Sequence, residues 1–345
     1  MTMPDPDRSR KPPRRFWLFA PYVVLLVAAA IWSGVWLAAR ASLIGRLDAA
    51  AERLRGEGYV ATWKSRAVGG YPFRLDMVIQ QARLVEPSGW GLSAPRLEAQ
   101  AYVYAPDHWL AVADQGVIIE RPKGGPVAVA GRMLRASVVG VAHAPPRVSV
   151  EGVDLTFTPQ PGGRPFAISH AQQLGLHMRP SGDDRVEAYL LLAGADATPG
   201  GWLSWIAGDR PLALVADLFA SQAAAFSGRD WPQMARHWAA AGGAVEVVRA
   251  GMAAGPLRLG VGRGRLGLDP DGALDGALTL DIRRAPGLID SMTRAGQIDP
   301  LAAKAAAAVI DARGATSRRA VADLTFQAGA TTLGPVAIGP APRVY

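Results

Sequence analysis

The sequence predicts a mainly β protein with a few helices (α+β), its body antiparallel, curved β-sheet in one domain or two, led by a single N-terminal transmembrane helix. Three observations carry that prediction. The stretch from Phe16 to Ala39 holds no charged side chain, and about 20 apolar residues at ~1.5 Å each span the hydrocarbon of a bilayer. Beyond it, short runs of alternating apolar and polar residues recur between turn clusters, the pattern of antiparallel strands that each keep a polar face. The 345 residues are 50% hydrophobic and include 39 Gly and 27 Pro, a mix suited to short strands joined by turns.

Charge and composition narrow the function classes. The formal net charge is +8, but Arg8, Arg10, Lys11, Arg14 and Arg15 gather in the tail, and the remaining excess forms no basic stripe interleaved with aromatics. Nucleic acid is therefore not an expected partner. Lysine occurs only at Lys11, Lys64, Lys123 and Lys304, and asparagine is absent, so the arginine content reflects coding bias rather than a binding surface. With no cysteine, disulfides, thiol catalysis and cysteine-ligated metals are excluded.

Taken in order, residues 1–15 form a basic, Pro-rich cytoplasmic tail without apolar periodicity. Residues 16–39 are the transmembrane helix, with Phe16, Trp17, Tyr22, Trp32 and Trp36 towards its two ends as interfacial anchors. The basic cluster before it places the N-terminus in the cytoplasm and the body in the periplasm by the positive-inside rule. Ala39-Arg40-Ala41 also fits a signal-peptidase site, but the apolar run exceeds the ~7–15 residues of a signal core, which favours a retained anchor. Either outcome exports the body.

Residues 40–58 read as an amphipathic helix, with Leu43, Leu47, Ala50, Ala51 and Leu54 at helical spacing and Gly56 and Gly58 ending it. A first β-rich half follows over residues 59–198. It opens with a strand from Tyr59 to Arg66, a turn at Gly69-Gly70, and a return strand placing Phe73, Leu75, Met77 and Ile79 on one face. Further strands are expected at Leu97–Val103, Leu110–Val112, Val117–Ile119, Val127–Val129, Leu134–Val138, Val148–Val150 and Val153–Phe157.

The second half, residues 199–345, adds helices. Strands are expected at Ala167–Met178, Arg185–Leu192, Leu212–Leu218, Gly255–Leu268, Ala273–Ile282, Val321–Phe326 and Leu333–Ile338. One helix starts with Asp230 as its cap and Pro232 in its first turn, a second runs from Pro286 to Gly296, and a third from Asp299-Pro300 through Ala312.

No constellation supports catalysis. Gly262-x-Gly264-x-x-Gly267 spells a dinucleotide fingerprint, but Asp269-Pro270-Asp271-Gly272 behind it is turn chemistry and forbids the helix that a Rossmann site requires. His108, His143, His170, His177 and His237 show no metal-ligand spacing. Asp183-Asp184 follows Pro180-Ser181-Gly182 and reads as a loop. Trp202, Trp205, Trp231 and Trp238 are the strongest aromatic clusters of the body, read as core anchors in preference to the lining of a lipid groove. Catalytic, cofactor-binding and metal residues are thus all expected to be none.

At Gly70, Tyr71, Pro72, Phe73 and Arg74, together with Gly242-Gly243 after Trp238 and Leu333-Gly334-Pro335, the sequence resembles domain of unknown function 2125, a family of Gram-negative bacteria. The resemblance covers essentially the whole chain after the anchor. It supplies no catalytic residues, because the family has no assigned activity. The layout of anchor and β-rich body is also similar to AsmA-like envelope proteins, whose curved sheets form apolar grooves that handle phospholipid. The expected function is a non-catalytic, single-pass inner-membrane protein with a periplasmic body that handles lipid or supports envelope biogenesis. Expected partners are the inner membrane, phospholipid or acyl chains, and other envelope proteins. A scaffold for envelope proteins is the alternative, and an enzyme of unrecognised type stands third.

Overall fold

The computed structural model describes residues 16–143, 145–200, 202–255, 257–283, 293, 299–312 and 319–345. One helix, α1 (Phe16–Gly56), leads into an 18-stranded sheet. Two short strands lie end to end on its first edge, β1 (Val60–Thr62) and β2 (Ser65–Gly69), both paired with β3 (Arg74–Val85). Next comes β4 (Gly91–Tyr102). The following two positions are also split: β5 (Ala105–Val112) and β6 (Val117–Glu120) run along β4, and β8 (Met133–Val139) and β7 (Val127–Ala130) run along those. A longer strand, β9 (Arg147–Pro159), bridges β7 and β8.

From there each strand pairs antiparallel with its predecessor: β10 (Ile168–Ser181), β11 (Arg185–Ala197), β12 (Leu212–Ser221), β13 (Val245–Ala254) and β14 (Leu257–Leu268). The meander continues through β15 (Leu274–Arg283), β16 (Arg319–Gln327), β17 (Ala330–Leu333) and β18 (Val336–Pro340). Among the described residues it is interrupted by the helices α2 (Trp202–Ala207), α3 (Trp231–Ala240) and α4 (Pro300–Ala312).

The mainly β, antiparallel architecture behind an N-terminal helix is the one the sequence predicts, and several elements differ in detail. The strand expected from Tyr59 to Arg66 is broken at Trp63-Lys64, where Trp63 lies beneath the guanidinium groups of Arg55 and Arg66, each 5.5 Å from its ring. The expected pair Val148–Val150 and Val153–Phe157 is one strand, β9. Leu333–Ile338 is not one strand but the β17–β18 hairpin, because Gly334-Pro335 forms its turn. Neither α2 nor β13 was expected. The helix read from Pro286 to Gly296 lies outside the described residues, Thr293 excepted.

One feature explains the broken strands. A line of backbone irregularities crosses the sheet in register, from the β1–β2 gap through Gln81 (φ 50°) opposite Pro95 and the gap Ala113–Gly116. It continues through Gly131, Asp154 (φ 53°) and Gln172 to Gly194 (φ 57°). Each extra residue shifts side-chain parity, as β-bulges do. In β9 the apolar side chains therefore fall at Val148 and Val150 before Asp154, and at Leu155 and Phe157 after it. The fully buried Leu155 fills space left by two glycines: a Cβ on Gly152 would lie 2.5 Å from its Cδ1, and one on Gly131 2.7 Å from its Cδ2.

The sheet wraps far enough for distant turns to meet. Right-handed twist of ~20–25° per strand accumulates along such a meander. The Glu86 carboxylate, in the β3–β4 turn, accepts a hydrogen bond from the backbone N–H of Trp231 at 3.1 Å. There it faces the positive end of the α3 dipole. Asp230 caps the same helix by accepting from the N–H of Gln233 at 2.8 Å, as the sequence predicts. The Trp231 indole donates to the Val344 carbonyl at 2.9 Å, fastening the C-terminal segment to this junction.

Candidate functional site

The sheet has two chemically distinct faces. Following direct cross-strand partners from one edge, the residues are Val68, Met77, Ala99, Ala111, Ala136 and Val150, then Leu176, Leu190, Ala216, Ala250, Val261, Leu280 and Ala322. Every one is apolar. A second row beside it runs Leu134, Gly152, Leu174, Leu192, Leu214, Met252, Leu259 and Ile282. On the other side a third begins Val138, Val148, Met178, Ala188 and Leu218. Such rows arise because strand alternation sends each apolar position to one side, and the line of bulges keeps them aligned on β9, β10 and β11.

The opposite face is the more polar of the two and is laced with cross-strand pairs, with Leu110, Leu191 and Val215 also falling on it. Arg135 donates to Glu151 at 2.9 Å through Nε, Arg179 does the same to Glu187 at 2.7 Å, and Arg185 pairs with Glu246. Exposed pairs like these are worth only ~0–1 kcal/mol each. Their value here is to mark which side meets water.

Local elements cover parts of the apolar face. At its start α1 lies on it, with Trp36 buried against Val68 and Leu75 and with Leu43, Ile44, Met77, Val103 and Trp109 around them. Beyond the line of bulges, α2 brings Ala207 and Leu203 against Leu155, Phe157, Ile168, Ala171 and Leu212. At the other end Ala341 packs with Ala273 and Phe326. Between these plugs Val150, Leu176, Met178 and Leu190 keep partial exposure.

The helix joins the sheet through the residues that carry the family resemblance. Gly69-Gly70 turns the chain, with Gly70 at φ 93°, where a Cβ would lie 2.7 Å from the Arg74 carbonyl oxygen. The carbonyl oxygens of Pro72 and Arg74 accept the indole N–H groups of Trp32 and Trp36, each at 2.8 Å. The Tyr71 hydroxyl lies 2.8 Å from that of Ser33. Trp36 meets Tyr71 edge-on at 5.5 Å between ring centroids, and Trp32 lies 6.0 Å from Phe73. Arg74 pairs with Asp76 at 3.1 Å on the polar face.

Of the anchor residues named from sequence, Trp32 and Trp36 thus converge on the Gly70–Arg74 turn, while Tyr22 projects outwards. The side chains of Phe16 and Trp17 lie outside the described residues. The helix itself is unbroken through Ala39 and Arg40, and its window of highest mean hydropathy reaches 2.1 with 6% of it buried. It is long and apolar enough to span a membrane.

Trp231 and Trp238 serve as anchors within the body. The Trp238 indole is buried and donates to the Ser221 carbonyl at 2.7 Å. The side chains of Trp202 and Trp205 lie outside the described residues. The glycines of Gly262-x-Gly264-x-x-Gly267 fall in β14, followed by the Asp269–Gly272 turn and β15. No Rossmann helix follows them. His170 lies 3.4 Å from Asp196, whereas His177 stacks on Tyr189 further along β10. Among the described residues no group of side chains is arranged to hold a metal.

A cleft of about 420 Å³ opens on the polar face, where Gly251 and Gly260 oppose each other between Val215 and Asp281. Its lining is mostly apolar, with Arg258, Asp281 and Arg283 as its charged members.

Sequence reading finds the strands individually but misses their alignment into rows, because pairing register is not written in any one strand. It also misses Tyr102 and Tyr104, stacked at 5.0 Å in the β4–β5 turn beside Phe73.

No curated protein and no solved structure matches the chain. A family model described as "Uncharacterized protein conserved in bacteria (DUF2125)" matches residues 36–342, all the described strands of the sheet and the second half of α1. The chain belongs to the DUF2125 family.

Proposed function

We propose that this is a single-pass inner-membrane protein, N-terminus cytoplasmic and body periplasmic, whose sheet shelters a phospholipid acyl chain along its apolar face without catalysis. The observation that carries the reading is the unbroken apolar row from Val68 to Ala322 and its two neighbours. Each methylene moved from water onto such a surface gains about 0.8 kcal/mol, so a chain laid along Val150, Leu176 and Leu190 is held by area rather than by any polar group. The same face receives α1, so a lipid leaving the bilayer beside the helix meets apolar side chains first.

Retention of the anchor has its own support. Trp32 and Trp36 are bonded to the Gly70–Arg74 turn and Arg40 Nε donates to the Val68 carbonyl at 3.0 Å. Cleavage at Ala39-Arg40-Ala41 would strip both indoles from the body and expose Val68 and Leu75.

The test is binding of a fluorescent acyl probe to delipidated, purified full-length protein. Wild type binds, and Leu176→Glu weakens binding severalfold while the unfolding transition stays cooperative. Absence of probe binding to the folded wild type refutes the reading.

A further inference from the structure

We infer that the Gly70–Arg74 turn and the neighbouring β4–β5 turn form a second membrane contact, seated in the headgroup region of the leaflet where α1 emerges. This rests on the reading of α1 as a membrane span. Tyr71 and Phe73 are each 57% exposed, Tyr102 49% and Tyr104 68%. These four rings occupy adjacent turns, because Arg74 pairs with Tyr102 and the Val103 N–H donates to the Phe73 carbonyl at 3.0 Å. Aromatic rings exposed at the end of a soluble sheet would cost free energy in water, whereas amphipathic rings are favoured at a membrane interface.

Exposure alone does not carry the inference, since Leu92 is 55% exposed at the opposite end of β4. Position does. Phe16 to Trp36 spans about 30 Å of helix, the thickness of a bilayer's hydrocarbon. Trp32 and Trp36 therefore stand at its outer boundary, and their indole N–H groups hold the Pro72 and Arg74 carbonyls at that level. The exposed apolar side chains of α1, Leu25, Leu26 and Ile31 among them, lead directly into the aromatic turns. A helix and two turns give three points of support, which fixes the tilt of the sheet over the membrane where a lone helix would leave it free to swing.

The absence of native cysteine permits a direct test. Phe73→Cys, Tyr104→Cys, Leu26→Cys and Leu92→Cys full-length proteins are spin-labelled and reconstituted into vesicles of phosphatidylethanolamine with a minority of phosphatidylglycerol. Accessibility to oxygen and to a water-soluble nickel chelate is then measured. The labels at residues 73 and 104 should show a severalfold higher oxygen-to-chelate ratio than the label at 92, with the label at 26 deeper still. Labels at 73 and 104 as open to chelate as that at 92, with 26 in hydrocarbon, overturn the second contact and leave the anchor standing. A label at 26 in water overturns the anchor reading and the inference with it.

Discussion

The indole N–H of Trp36 donates to the backbone carbonyl of Arg74 at 2.8 Å, joining the helix to the first long strand of the sheet. The ring is 7% exposed and packs on Val68 and Leu75. A residue that an apolar run marks for lipid is therefore the bolt between helix and body, and its neighbour Trp32 makes the same kind of bond one turn earlier.

Trp36→Ala should destabilise the body by about 3–5 kcal/mol, the usual cost of truncating a buried aromatic to alanine. Trp36→Phe keeps most of the packing and loses the hydrogen bond, costing about 1 kcal/mol. Thermal unfolding of full-length protein in detergent measures both. Equal effects of the two variants would show that the ring's volume contributes nothing.

Gly152→Ala puts a methyl into the space of Leu155, whose Cδ1 would lie 2.5 Å from the new Cβ. Overpacking of this kind costs about 1–3 kcal/mol. The variant's unfolding midpoint should drop, and a second change, Leu155→Val, should recover part of the loss. No change in the single variant would mean that the bulge at Asp154 yields freely.

Tyr59 supplies a pH signature. Burial first, then the carboxylates of Glu86, Glu57 and Asp230, hold its hydroxyl above the ordinary value of 10.0. A raised value favours the neutral form in the folded state, so the stability it contributes is fully present below the unfolded value and lost as pH rises through the folded one. Tyr59→Phe should therefore flatten the loss of stability as pH rises above the ordinary value of 10.0. Identical alkaline slopes in wild type and variant would contradict this.

Topology has a direct readout. A reporter active only outside the cytoplasm, fused after Val60, should be active in cells. A reporter active only inside, fused at the same place, should be silent. The reverse pattern would invert the orientation drawn from Arg14 and Arg15.

Much of the fold is legible in single strands. Alternation marks Leu75, Met77 and Ile79 for one face, and Asp230 and Asp299 mark helix starts that the structure bears out, with the Leu301 N–H donating to Asp299 at 2.8 Å. What escapes is everything that depends on bulges and register. Asp154, at φ 53°, shifts the apolar parity of β9 and makes one strand read as two. The strand β13 hides because a register irregularity between Val247 and Arg249 shifts its alternation, and Gly251 and Ala253 leave the other face without polar marks. The apolar rows themselves emerge only when Val150, Leu176 and Leu190, far apart in sequence, are set side by side.

The most direct measurement places a photo-crosslinking amino acid at Leu176 or Leu190 on the apolar face, and at His177 on the polar face, in cells. After irradiation, mass spectrometry of the purified full-length protein identifies the adducts. Sheltering of an acyl chain predicts phospholipid adducts at Leu176 and Leu190 and none at His177. Protein adducts alone, no adducts, or equal lipid labelling of the two faces would contradict it.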